Sequence, residues 1–315
     1  MSLADPEATS VTKTTISEGD LKVIFRDNAQ SPKVLSGIAS LVNQRDGPRF
    51  DAFDPDSPGA SAGLNFEHII SGHKNRHNAF APRHGTYTLQ VVPDGKSALL
   101  ARRQEDDPWA MSSTLKYTVT KPHYIDVEFR CIPHRPALFG ERRYAVLFFA
   151  NYMNDVGDVA LHFRGIEGPG QPEKWVTADA PKGDRDWNQG GTYRSASASA
   201  LEYDTDHNFK LNLWSYDYPR FAKPFYYGRA AKGMVFMLMF NKAYTEEDEI
   251  RFSLFKFKLP RFPRPAWDFQ YVIRNIQAGK EYGFKARLVW KRFIGPEDCL
   301  EEYNAWMAAS KPNDR

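Results

Sequence analysis

Strict alternation of apolar and polar residues recurs in segment after segment of this chain, and it limits the fold more than any other feature. Residues 111–120 (Met-Ser-Ser-Thr-Leu-Lys-Tyr-Thr-Val-Thr), 124–131 (Tyr-Ile-Asp-Val-Glu-Phe-Arg-Cys), 209–216 and 250–258 all alternate. A period of two sends successive side chains to opposite faces of a strand, so each segment has one wet face and one dry face. That pattern belongs to antiparallel sheets, not to the doubly buried strands of parallel α/β proteins. Further strands are expected at 21–25, 145–150, 158–164, 267–273 and 282–291, and the apolar run 233–240 reads as a buried strand. Residues 85–92 and 97–102 flank Pro93, Asp94 and Gly95, a turn signal, and predict a hairpin.

Helix signals are few. Pro296, Glu297 and Asp298 open a segment in which Leu300, Tyr303, Trp306 and Met307 recur at helical spacing. Acidic residues suit the first turn of a helix, so a helix is expected over 296–309. A short helix is also expected within 36–43, and residues 179–199 read as a long loop. Residues 1–19 are polar and read as a disordered or extended segment. No linker divides the rest, so 20–315 reads as one domain: mostly β, a large antiparallel β-sandwich with a short C-terminal helix.

Composition removes several function classes. The formal charge of +3 is spread along the chain without a dense Lys/Arg block, so nucleic acid is not an expected partner. No apolar run reaches the roughly 18 residues of a membrane span, so no membrane partner is expected either. The first residues lack the apolar core of a signal peptide, which leaves the compartment open. Cys131 and Cys299 form no CxxC pair, which argues against a thiolate metal site or a disulfide scaffold. Neither the glycine-rich nucleotide motifs nor GxSxG occurs, which disfavours nucleotide-dependent and α/β-hydrolase chemistry. No cofactor is expected, and the oligomeric state is not legible.

Ionisable chemistry concentrates in residues 63–84. This window holds His68, His73, His77 and His84 together with Glu67, Arg76 and Arg83. Imidazole and guanidinium donate to hydroxyls or a carboxylate, and histidine titrates near neutrality. Solvated loop histidines are the simpler alternative. His73 and His77 have the spacing of a helical zinc pair, but Lys74 stands where HExxH needs glutamate, so no metal is expected. Two other places could hold a ligand. Trp214, Tyr216, Asp217, Tyr227 and Arg229 would stack on and pair with a sugar ring, or form an aromatic packing corner. Trp187 lies in a loop of acids and glycines that suits a binding rim, or a plain surface loop. His162 sits in an alternating strand and reads as a hydrogen-bonded structural histidine.

The succession of antiparallel strands over residues 20–295 carries a resemblance. So do the Gly-Leu-Asn-Phe-Glu-His run at 63–68, the Pro-Arg-His-Gly run at 82–85 that opens a hairpin, and the Trp-Ser-Tyr strand at 214–216. Together they resemble the galactose mutarotase-like superfamily. The resemblance implies a two-sheet β-supersandwich with a carbohydrate ligand in a concave cleft. Epimerases, glycoside hydrolase domains and polysaccharide lyases share that architecture, and fold alone does not choose among them. On this reading His68 or His84 exchanges protons, with Glu67 or Asp217 as partner. Arg76, Arg83 and His77 hold hydroxyl or carboxylate groups, and Trp187, Trp214, Tyr216, Tyr227 and Arg229 complete the binding surface. The alternatives are a non-catalytic carbohydrate-binding or interaction module and a histidine-based metal enzyme.

Overall fold

The computed structural model describes residues 9–29, 34–53, 62–71, 79–179, 189–204, 217–241, 247–257 and 264–310. In chain order the strands are β1 (Thr9–Val11), β2 (Lys13–Glu18), β3 (Leu21–Arg26), β4 (Gly37–Asn43), β5 (Asn65–Ile70), β6 (Thr88–Val91), β7 (Ser97–Arg102), β8 (Met111–Thr120), β9 (Tyr124–Pro133) and β10 (Ala145–Ala150). They continue as β11 (Leu161–Ile166), β12 (Lys174–Ala178), β13 (Gln189–Tyr193), β14 (Arg220–Phe221), β15 (Phe225–Ala230), β16 (Met234–Asn241), β17 (Glu249–Phe257), β18 (Arg264–Ile273) and β19 (Tyr282–Arg292). The helices are α1 (Ala81–His84) and α2 (Pro296–Ala309). An eleven-stranded sheet runs β1-β6-β7-β8-β9-β19-β16-β15-β11-β12, with β14 added beside β11. A five-stranded sheet runs β13-β17-β18-β10-β5, and β2-β3-β4 make a small third sheet. Pairing is antiparallel along each of these paths, as the alternation requires.

The main core lies between the two larger sheets. Phe129, Phe240 and Phe284 of the large sheet meet Phe149 and Phe269 of the five-stranded sheet. Phe149 stacks on Phe269 at 4.8 Å, Phe129 meets Phe149 at 5.0 Å and Phe240 meets Phe269 at 4.7 Å. Alternation along β18 is complete: Trp267, Phe269, Tyr271 and Ile273 point into this core. Asp268 and Gln270 therefore face away from it, on the sheet's outward side.

Two expectations need correction. The stretch 36–43 holds β4 (Gly37–Asn43), not a helix. The register against β3 shifts between Ile24 and Phe25, so Ile38 and Leu41, three apart, both enter the core. A β-bulge thus imitated helical spacing. The expected long loop at 179–199 contains β13, whose glycines have little strand propensity but allow close pairing. A Cβ at Gly190 would come within 2.8 Å of the Leu254 carbonyl oxygen on β17. The alternating segment 209–216 lies outside the described residues.

Helix α2 covers part of the outward face of the large sheet. Cys299, Tyr303 and Trp306 pack on Phe225, Tyr227, Met237 and Val289, and Tyr303 stacks on Phe225 at 4.8 Å. Glu302 locks it down by accepting hydrogen bonds from Tyr124 Oη at 2.7 Å and Lys291 Nζ at 2.6 Å. Burial alone would raise its pKa, but bonds from His123, Lys291 and Tyr124 outweigh that and pull it down to about 2. A depressed carboxyl stabilises the fold above its ordinary value near 4.5, and that contribution is lost as pH falls through about 2. Glu302→Gln is therefore expected to cost about 2 kcal/mol near neutrality, after allowance for its partial exposure. Thermal unfolding should show the gap closing toward pH 2. A gap independent of pH would mean that packing, not charge, holds the helix.

Candidate functional site

The outward face of the five-stranded sheet carries a cleft of about 180 Å³. Its polar residues are Glu67, His68, Arg83, Thr192, Ser253 and Asp268, and its aromatic walls are Phe80, Phe148, Tyr152, Phe255 and Phe257. A β-bulge places the first two. Phe148 pairs with His68 but Phe149 pairs with Phe66, leaving Glu67 as the additional residue on β5. Phe66 and Ile69 point into the core, so Glu67 and His68 both turn outward. An unbulged strand would have buried one of them between the sheets.

Arg83 arrives from α1. The α1 turn is held against the sheet by Ile69 N donating to Ala79 O at 2.8 Å. Arg102 Nη1 donates to Ala81 O at 2.9 Å, and Asn28 Nδ2 donates to Arg83 O at 3.3 Å. Gly85 is needed here for space, since a Cβ would lie 2.2 Å from the guanidinium carbon of Arg102. So positioned, Arg83 pairs with Glu67 Oε1 and donates to Tyr152 Oη at 3.0 Å, while Tyr152 Oη donates to the same glutamate oxygen. The Glu67 side chain is only 3% exposed, so this pair is largely shielded from water.

His68 lies edge-on to Phe80, with ring centres 3.9 Å apart, and Nδ1 is 3.5 Å from Glu67 Oε2. Burial pushes its pKa down to about 4; Glu67 opposes this, and Arg83 and His84 add to it. At neutral pH the ring is uncharged and a weak proton acceptor. Asp268 on β18 is buried, and its Oδ1 accepts from Asn151 N at 2.7 Å. Burial raises its pKa well above the usual carboxyl range, the Asn151 bond opposes this, and the nearby Glu67 charge raises it further. The cleft thus holds two carboxyl groups in different surroundings: Glu67 ion-paired with Arg83, Asp268 pushed toward its protonated form by burial. Beside them Gln270 Nε2 donates to Ser253 Oγ at 2.9 Å and to Thr192 Oγ1 at 3.2 Å.

The structure therefore brings together Glu67, His68 and Arg83. His84 sits at the exposed end of the same turn, its ring 6.4 Å from Phe80. Tyr227 and Arg229 do not share the cleft. They alternate with core-facing Tyr226 on β15 and so lie on the outward face of the large sheet. There Tyr227 stacks on His162 at 4.9 Å, and Arg229 Nη1 lies 3.4 Å from Asp158 Oδ2. His162 is the hydrogen-bonded structural residue that its strand implied, with Nε2 3.1 Å from Asp158 Oδ1. Asp217 does not line the cleft; its side chain is 97% exposed, and its backbone oxygen accepts from Arg220 Nε at 2.8 Å. Arg76, His77, Trp187, Trp214 and Tyr216 lie outside the described residues, as does His73. Among the described residues no group of three or more His, Cys, Asp or Glu is placed to hold a metal ion.

Sequence reasoning missed Asp268, Tyr152, Thr192 and Ser253. Asp268 and Ser253 had a usable signal, since each is a polar residue on the wet side of an alternating strand.

No family model matches the chain, and no curated protein matches it. Among solved structures, a GalM/aldose epimerase homologue from C. elegans is similar at 10% identity and a TM-score of 0.47, covering 90% of this chain and 99% of that one. A TPR-domain containing protein from Parabacteroides distasonis has 8% identity and a TM-score of 0.46, over 87% of this chain and 46% of that one. A heparinase III has 6% identity and a TM-score of 0.45, over 92% of this chain and 37% of that one.

Proposed function

We propose that the cleft on the five-stranded sheet binds a saccharide and that Glu67 and Asp268 act on it as base and acid. The observation that carries this reading is the pair of carboxyl groups in one cleft, one ion-paired with Arg83 and the other pushed toward its protonated form by burial. Environments that separate two carboxyls in this way divide acid and base roles between them. Aromatic walls suit the C–H faces of a sugar, while Thr192, Ser253 and Arg83 suit its hydroxyls.

A balanced step follows for a reducing sugar. Asp268 gives its proton to the ring oxygen as the bond from that oxygen to the anomeric carbon breaks. Glu67 takes the proton of the anomeric hydroxyl, whose electrons form the carbonyl. The open chain can reclose on either face. Arg83 and Tyr152 hold the Glu67 carboxyl in place. The histidines take a lesser part than the sequence implied, because burial leaves His68 weakly basic.

A second reading is a non-catalytic saccharide-binding module. Its support is that Glu67 Oε1 is already engaged by both Arg83 and Tyr152, an arrangement that also suits fixed recognition. One experiment separates the two. Thermal unfolding is measured against a panel of mono- and oligosaccharides, and each stabilising sugar is then followed by NMR for interconversion or cleavage. A ligand at about 100 times its Kd should stabilise the fold by about 2.7 kcal/mol. Stabilisation with turnover supports the acid–base reading, and stabilisation without turnover supports the module. No stabilisation by any sugar overturns both.

A further inference from the structure

Beyond the small cleft, the same sheet face carries an excess of guanidinium groups. Glu249 of β17 is surrounded by three arginines. Arg194 grips it with two bonds, Nε to Oε1 at 2.8 Å and Nη2 to Oε2 at 3.0 Å. Arg251 Nη2 and Arg274 Nη2 reach Oε2 at 3.0 and 3.1 Å. Three cations against one carboxylate leave a formal surplus of two positive charges. Two further acids stand beside it on the chain: Asp248 accepts from Tyr271 Oη, Glu247 is exposed, and both line the neighbouring groove.

Part of this network is structural. Arg194 and Arg274 also donate to the carbonyls of Ser199 and Ala200 and so tie that loop to the sheet. Arg251 is different. Its side chain is 3% exposed, Nη1 donates to Tyr203 Oη at 2.9 Å, and Nε–H is buried with no hydrogen-bond partner among the described residues. A buried guanidinium donor without an acceptor is costly, and its fork geometry matches a carboxylate or a sulfate.

The location ties this cluster to the cleft. Arg251 is two residues from Ser253 on β17, a displacement of about 7 Å along the strand. Across the sheet it pairs with Gln270, whose row continues through Phe148 to His68. Three strand spacings put the cluster about 14 Å from His68. A groove of about 640 Å³, lined by Arg274, three serines and the acids Glu247, Asp248 and Glu249, lies beside it, and of the three arginines Arg274 is the one that reaches its wall.

We propose that Arg251, Arg194 and Arg274 form a subsite for an anionic group of the ligand, so that the cleft takes an acidic oligosaccharide. This deepens the saccharide reading and rests on it. The shared chemistry is a carboxylate or sulfate ester on a sugar residue next to the one held at Glu67 and Asp268.

Calorimetric titration tests it with three oligosaccharides of one backbone: neutral, uronate-bearing and sulfate-bearing. One charge-assisted contact of this kind should give the acidic ligand an advantage of about tenfold or more in Kd. Whichever acidic ligand gains identifies the anionic group. Arg251→Gln should reduce that advantage to within about twofold while leaving neutral-ligand affinity intact. Glu249→Gln removes the internal competitor and should enlarge the advantage, and it keeps the question open to test if Arg251→Gln does not fold. Equal affinity for neutral and acidic ligands overturns the subsite but leaves the saccharide reading standing. So does an acidic preference that survives Arg251→Gln or shrinks in Glu249→Gln. Failure of all three ligands to bind overturns the saccharide reading itself.

Discussion

Asp268→Asn is expected to reduce turnover of the accepted sugar by about 10²- to 10⁴-fold, the usual contribution of one positioned proton donor. The substitution keeps the side-chain oxygen that accepts from Asn151 N and removes only the transferable proton. Because burial pushes Asp268 toward its neutral form, the exchange to a neutral amide should change melting temperature little. Glu67→Gln is expected to cause a loss of similar size by removing the base. The two differ in pH dependence. Wild-type activity should decline at alkaline pH as Asp268 ionises, and this limb should be absent from the residual activity of Asp268→Asn. Steady-state rates across pH, with KM and kcat separated, provide the check. Full activity in Asp268→Asn would remove Asp268 from the mechanism, and a rise in KM alone would make it a binding group.

Much of the architecture was legible because alternation reports which side chains share a face. β8, β9, β17 and β19 fall where the period-two segments place them, and α2 falls where apolar residues recur at helical spacing. Alternation does not say which face of a sheet is covered, or by what. Tyr227 and Arg229, read as part of one sugar-binding surface with Trp214, Tyr216 and Asp217, lie on the face of the large sheet under and beside α2, opposite the cleft. Bulges hide for a related reason. Phe66 and Ile69 are three apart, which is the spacing left when Glu67 is inserted into β5. The same spacing separates Ile38 and Leu41 across the bulge in β4, within the stretch where a short helix was expected. Asp268 and Ser253 looked like ordinary wet-face residues. Their burial depends on aromatic side chains from separate segments closing over them, a long-range property with no local signal. The histidine window was informative through its neighbours: Glu67 and Arg83 meet, while His68 is held neutral behind Phe80.

Arg83→Met should reveal how strongly the site depends on that meeting. Glu67 is buried, so removal of its cation strands a carboxylate rather than merely breaking one contact. Losing one partner of a buried pair costs about 3–5 kcal/mol. The Arg83 side chain is 21% exposed and water can partly replace it, which favours the lower end. The sign of the rescue is the sharper test. Adding Glu67→Gln to Arg83→Met removes the stranded charge, so the double variant should recover most of the lost stability. Tyr152 can still donate to the amide oxygen, and His68 is freed from one of the charges that depress it. Chemical denaturation of the four proteins in the cycle measures this directly. Additive losses would mean that Arg83 contributes through packing against Tyr152, and the ion pair would then have no special place in the site. Recovery in the double variant would show that the two groups are coupled, and that the bulge at Glu67 and the turn carrying Arg83 together define the cleft.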